Sequence, residues 1–156
     1  MSDVWYFAYG SNLWIDQKES RTGTIRIGSE RPQIAKLHNY RLAFNKRGSN
    51  GQVYANVMNC QNADVIGVVY RCSPTAIDTM SDFEIGYEKQ TVTVTLEDGS
   101  TVDAITFVAQ SSHVVNEASP SEPYLKRILT GASQHGLPQD YIENVRRLAY
   151  GQENNE

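Results

Sequence analysis

The stretch Val4-Trp5-Tyr6-Phe7-Ala8-Tyr9-Gly10-Ser11-Asn12-Leu13-Trp14 sets a run of β-branched and aromatic residues directly against a glycine and two small polar residues. Valine, tryptophan, tyrosine and phenylalanine suit a pleated, half-buried strand. Gly10 ends it, and Ser11 and Asn12 are residue types that cap helices. A strand stopped by such a turn aims the backbone N–H groups of the next turn at one spot, which suits a carboxylate or a developing oxyanion. An ordinary strand-to-helix connection uses the same residue types, so this stretch alone leaves both readings open.

Working outward, strands are predicted at 4–9, 40–45, 53–58, 65–71, 90–96 and 102–108, most of them rich in valine, tyrosine, phenylalanine or threonine. Between the last two, Asp98-Gly99 carries a hairpin turn signal, and Val92, Val94 and Leu96 alternate with threonines ahead of it. Gly48-Ser49-Asn50-Gly51 predicts an exposed loop, either solvent-facing or a flap over a ligand. Helices are expected as a short turn after Asn12, from 74 to about 83 behind the Ser73-Pro74 start signal, and twice after Pro120. The first of the last two has the stripe Tyr124, Leu125, Ile128 and Leu129, with Gly131 and Gly136 as punctuation. The second starts at Pro138 and has the stripe Tyr141, Ile142, Val145 and Leu148. Many short strands before two packed helices indicate an α+β domain, a curled or barrel-like sheet with helices outside. One domain over 1–150 and a frayed tail at 151–156 complete the expected organisation.

The chain has 156 residues, 40% hydrophobic and 21% charged, with a formal charge of -4, the profile of an ordinary soluble globular protein. There is no sustained basic stripe, which argues against a nucleic-acid partner. The apolar runs, such as 65–70, are too short for a membrane span and no basic-then-apolar leader opens the chain, so a cytoplasmic location without membrane attachment is expected. Cys60 and Cys72 form no CxxC pair, and His38, His113 and His135 are scattered. Neither a metal site nor a disulfide framework is expected, and no cofactor.

On the helix predicted from Pro74, Ile77, Met80 and Glu84 are spaced i, i+3 and i+7 and return to one face. Asp78 and Asp82 lie off that stripe. Glu84 is thereby aimed at apolar surroundings, where desolvation raises a carboxyl pKa and makes the group a candidate general base or acid. The competing reading puts Glu84 past the helix end and out in water. Tyr87 and Tyr124 are weaker candidates for contacting a ligand, and Arg41 and Arg71 read as surface charges. Ser11 lacks a G-x-S-x-G elbow and ranks as a binder rather than a nucleophile.

Taken together, Tyr6-Phe7-Ala8-Tyr9-Gly10-Ser11-Asn12-Leu13, Val65-Ile66-Gly67-Val68-Val69-Tyr70, Glu84, and Pro120-Ser121-Glu122-Pro123-Tyr124 with Gly131-Ala132 and Gly136-Leu137-Pro138 resemble the gamma-glutamylcyclotransferase family, of AIG2-like fold. The resemblance covers nearly the whole chain. It implies a small mixed β-barrel flanked by helices and an enzyme without cofactor. The implied reaction converts a small-molecule gamma-glutamyl amino acid or amine into 5-oxoproline and the freed amine. It further implies substrate binding by Tyr6, Phe7, Ala8, Tyr9, Gly10 and Ser11, catalysis by Glu84, and an additional contact from Tyr124. The family's acid follows a Leu-Asp pair and precedes a glycine, whereas here Met80-Ser81 leads to Glu84, Ile85 follows, and the glycine is displaced to Gly86. That departure implies an altered entrance for the leaving amine. It keeps two other functions in view, a non-catalytic gamma-glutamyl metabolite binder and a biosynthetic deprotecting enzyme. A homodimer is also left open.

Overall fold

Five strands close into a barrel in the order β1-β3-β2-β4-β5 in the computed structural model, which describes residues 3–14 and 31–151. They are β1 (Val4–Ala8), β2 (Gln33–Arg47), β3 (Val53–Cys72), β4 (Tyr87–Leu96) and β5 (Thr101–Ala109). Helix α1 (Pro74–Ser81) joins β3 to β4, and α2 (Glu122–Gln134) and α3 (Gln139–Gly151) follow the sheet. Four of the five pairings are antiparallel, and the seam between β1 and β5 is parallel. The expected α+β class and mixed barrel with flanking helices are therefore present. Among the described residues no helix is long and apolar enough to cross a membrane. The tail beyond Gly151 lies outside the described residues.

β1 sits between two neighbours, and that fixes everything attached to its end. Its full length pairs with β3, from Val4↔Cys72 to Ala8↔Val68. On the other side the backbone ladder with β5 is brief, Tyr6↔Ile105. A buried threonine supplements it, Thr106 Oγ1 donating to the Phe7 carbonyl at 2.8 Å. A second buried polar link crosses three strands: Asn56 Nδ2 donates to Asn45 Oδ1, while Asn56 Oδ1 accepts from the Ala109 N–H. Fully satisfied buried amides of this kind hold a register more strictly than apolar contacts do.

The strands run longer than the sequence pattern indicates. The predicted strands 53–58 and 65–71 are one strand, β3, and the prediction at 40–45 is the distal half of β2. The apparent break is a bulge: the ladder passes from His38↔Asp64 to Tyr40↔Asn59, with extra residues on β3. Asn39 and Asn62 have positive φ there, and Asn39 Oδ1 accepts from the Asn62 N–H. Bulged polar residues look like a loop in sequence while the pairing continues around them. The Asp98-Gly99 hairpin stands as expected, closed by Leu96 N–H to Ser100 O and Gly99 N–H to Leu96 O.

Helix α1 begins as the Ser73-Pro74 pair indicates, with Ser73 Oγ accepting from the Ala76 N–H at 3.1 Å. It buries Ala76, Ile77 and Met80. Ser73→Ala removes one capping acceptor and is expected to cost about 1 kcal/mol, read as a lower denaturation midpoint at unchanged slope. On α2 the buried face is Leu125, Ile128, Gly131 and Ala132, so Gly131 is an interior contact residue rather than punctuation. Its place on that face is set by the backbone it meets, described below.

Three phenols make the fold sensitive to alkali. Burial pushes Tyr141 up to about 12, its hydroxyl lying against the Ile66 backbone without a well-formed hydrogen bond. Tyr9 and Tyr87 are also pushed well above the ordinary value of 10.0, burial being the main cause in each. A phenol whose folded pKa exceeds its unfolded one contributes stability that is complete below pH ~10 and disappears as pH climbs through the folded value. Tyr141 alone represents on the order of 2 to 3 kcal/mol over that window. The expected result is a denaturant midpoint that is flat up to pH ~10 and falls steeply above it.

Candidate active site

Gly10 leads into a short 3-10 turn, Ser11–Leu13, whose own bonds run from Leu13 N–H to Gly10 O and from Trp14 N–H to Ser11 O. Here the capping expectation is corrected: Ser11 and Asn12 lie inside the turn, and no side chain caps it. The Asn12 amide is directed across the barrel end instead. Its Nδ2 donates to Tyr6 Oη at 2.9 Å and to Glu84 Oε1 at 2.9 Å, and approaches Met80 Sδ at 3.2 Å.

Glu84 is three residues beyond the end of α1, which corrects its placement on the helix itself. The i→i−3 bonds of Phe83 and Glu84, to Met80 O and Ser81 O, continue the winding past Ser81. Glu84 therefore still emerges on the side of Met80, and the Asn12 amide touches both. The chain then turns at Gly86 (φ 87°), a conformation that favours glycine, and enters β4. Glu84 is half-buried.

Gly10, Ser11, Glu84, Tyr6 and Tyr9 border one small recess of about 30 Å³, room for a single water or a group of carboxylate size. Tyr87 and Tyr124 close it from the β3 side. Ala55 holds both: its N–H donates to Tyr124 Oη at 3.1 Å, and its carbonyl accepts from Tyr87 Oη at 2.6 Å. Tyr9 Oη donates to the Phe107 carbonyl at 2.5 Å. Burial raises the Tyr9 pKa most, with the Glu84 carboxylate next, so the hydroxyl stays a neutral donor beside that acid.

The recess shares Ser11, Glu84, Tyr87 and Tyr124 with an outer cleft of about 410 Å³. Lys46, Arg47 and Arg127 line that cleft, as do Phe83 and Ile85. Lys46 is buried, and its Nζ donates to the Ile85 carbonyl at 2.6 Å. Burial pulls its ammonium below the ordinary lysine range, and Glu84 opposes that shift. The 48–51 loop contributes Gly48 and Ser49 to the rim.

Of the residues singled out in the sequence, Tyr6, Tyr9, Gly10, Ser11, Glu84 and Tyr124 are brought together here. Phe7 and Ala8 line neither cavity: both are fully buried in β1. Sequence reasoning missed Asn12 as a side-chain partner of Glu84, and missed Lys46 and Arg127 altogether. An Asn directly after Gly-Ser gives no hint of a partner 72 residues away, and Lys46 reads as a solvated charge beside a polar loop. Of the two arginines assigned to the surface, Arg41 is half-buried and pairs with Glu117, and Arg71 is stacked over Trp5.

The sequence pattern of the AIG2-like family matches residues 64–145, just over half of the chain. The chain is similar to the gamma-glutamylcyclotransferase of Homo sapiens, 27% identical over 150 residues that span 92% of this chain and 77% of the human one. It is similar to the Mus musculus gamma-glutamylcyclotransferase at 29% identity with the same coverage. A solved structure named gamma-glutamyl cyclotransferase superposes with a TM-score of 0.82 at 23% identity, covering 93% of this chain and 87% of that one. The matched segment contains Glu84, the helix that carries Tyr124, strands β4 and β5 and the end of β3, and the chain belongs to the AIG2-like family with the gamma-glutamylcyclotransferase-like fold.

Proposed function

We propose that this protein is a cofactor-independent gamma-glutamylcyclotransferase. The observation that carries the reading is a carboxylate, Glu84, held by Asn12 on the wall of a recess it shares with the Gly10-Ser11 turn. The named activity of the human and mouse relatives supports it.

The substrate brings its own nucleophile. Its α-amine attacks its γ-carbonyl carbon, a five-membered ring closes, and the γ-amide C–N bond breaks to give 5-oxoproline and a free amine. In this mechanism Glu84 takes the proton that the α-amine loses and delivers it to the departing nitrogen. One carboxylate therefore serves both transfers. Asn12 donates to Oε1 and holds the carboxylate at the wall of the recess. The Gly10 and Ser11 N–H groups are assigned to the oxyanion, where losing one donor typically costs about a hundredfold or more in rate. Tyr6, Tyr9 and Tyr124 hold the glutamyl end, and fixing it in near-attack shape supplies roughly 7 kcal/mol or more in favourable systems.

The test is 5-oxoproline release from gamma-glutamyl compounds by the purified protein. Release on the scale of an enzyme supports the assignment. Saturable binding of the same compounds by calorimetry, with no product, would make the protein a metabolite binder instead.

A further inference from the structure

We propose that the outer cleft is a leaving-group subsite for an α-amino acid with a large apolar side chain, its carboxylate held by Lys46. This deepens the cyclotransferase reading and rests on it.

Two observations meet in that cleft. The first is a buried cation with donors to spare. Lys46 is only 6% exposed, and among the described residues its ammonium donates to a neutral carbonyl, Ile85 O. An ammonium carries three donors, so two remain for a ligand. The Tyr87 and Tyr54 rings lie 4.9 and 5.8 Å from Nζ and soften the burial of the charge without accepting those donors as an anion would. Among the described residues, Arg47 and Arg127 line the same cleft beside Glu84, in a chain of net charge -4. Basic side chains gathered at one cleft suit an anionic ligand.

The second observation is apolar. Phe83 and Ile85 are 51% and 77% exposed, and Tyr150 is the other exposed large hydrophobic among the described residues. Phe83 and Ile85 stand on either side of Glu84 and both line the cleft. A bound side chain that covered them would remove that area from water.

Together these features describe the departing half of a substrate. The carbonyl that holds Lys46 belongs to the residue next to Glu84, so the ammonium sits close to where the amide bond breaks. When an α-amino acid is the leaving group, its carboxylate is two bonds from that nitrogen, within reach of Lys46. A simple alkylamine would leave Lys46 unanswered, and glycine would leave Phe83 and Ile85 uncovered.

The experiment measures 5-oxoproline release from gamma-glutamyl-phenylalanine, its C-terminal carboxamide, and gamma-glutamyl-glycine. In the wild type, kcat/KM for gamma-glutamyl-phenylalanine should exceed that of each of the others by about tenfold or more. Lys46→Met, which keeps the length of the side chain, should collapse the acid-to-amide ratio toward one. The Phe83→Ala, Ile85→Ala double variant should collapse the phenylalanine-to-glycine ratio and keep the acid-to-amide ratio. Wild-type ratios near one, or an acid-to-amide ratio that survives Lys46→Met, would overturn the subsite while the cyclotransferase reading stands. Release from none of the three compounds would instead remove the reaction. The subsite would then be read by calorimetry with L-phenylalanine and L-phenylalaninamide, and equal affinity for the two would overturn it as well.

Discussion

Glu84→Gln is expected to keep the fold and to lose 5-oxoproline release by a factor of about a hundred to ten thousand, the range associated with a positioned acid–base group. Glutamine has nearly the shape of glutamate and retains a carbonyl oxygen for the Asn12 amide to donate to, so the Asn12 link across the barrel end survives. What it cannot do is accept the proton that the α-amine sheds in the proposed reaction. The group is half-buried next to the exposed Phe83 and Ile85, and its replacement by a neutral isostere disturbs no packed core. Thermal unfolding should therefore be nearly unchanged while turnover falls. Wild-type turnover in this variant would end the catalytic assignment, and a large drop in melting temperature would make Glu84 a structural residue.

Gly131→Ala should destabilise the fold at the contact between α2 and the turn that carries Ser11 and Asn12. A Cβ at position 131 would lie 2.3 Å from Leu13 C, 2.4 Å from Trp14 N and 2.6 Å from Leu13 O. All three atoms are backbone, which cannot rotate aside as a side-chain tip can. Overpacking of this kind typically costs about 1 to 3 kcal/mol, and the roughly 1 kcal/mol that alanine gains over glycine in a helix offsets only part of a backbone clash. For a domain of this size a net loss of about 2 kcal/mol corresponds to a fall of roughly 4 to 8 °C in melting temperature. The turn that must yield is continuous with Ser11 and Asn12, so 5-oxoproline release should fall as well. Gly151→Ala is the matched control: nothing lies within 4 Å of its Cβ, and its melting temperature should stay level or rise slightly. A Gly131→Ala protein that melts with the wild type would show that α2 and the turn part without cost.

Much of this architecture is legible in the residues because local chemistry and tertiary packing agree there. β1, the Asp98-Gly99 hairpin, the Ser73 cap and both C-terminal helices carry their signals within a few residues of themselves. The direction of Glu84 is also readable, since the winding that puts it with Met80 persists for one turn beyond the helix. What escapes is whatever depends on a distant partner. The bulge between β2 and β3 hides their continuity, because Asn39 and Asn62 satisfy each other across the strands. Gly131 resembles a helix stop until the Leu13–Trp14 backbone is seen against it. Asn12 and Lys46 declare themselves only through Glu84 and Ile85, tens of residues away.

The parallel seam between β1 and β5 separates two kinds of change open to this protein. The recess hangs from β1, which is clasped along its length by β3 and anchored by Thr106, so alterations there propagate into barrel closure. Part of the outer cleft, the Gly48-Ser49 rim and the Phe83 to Ile85 segment, lies outside the strands that close the cylinder, whereas Lys46 stands on β2. On the proposed reaction, descendants of such a chain can change which apolar side chain departs by rewriting two loops, while the Lys46 contact and the ring-forming half of the chemistry are inherited with the barrel.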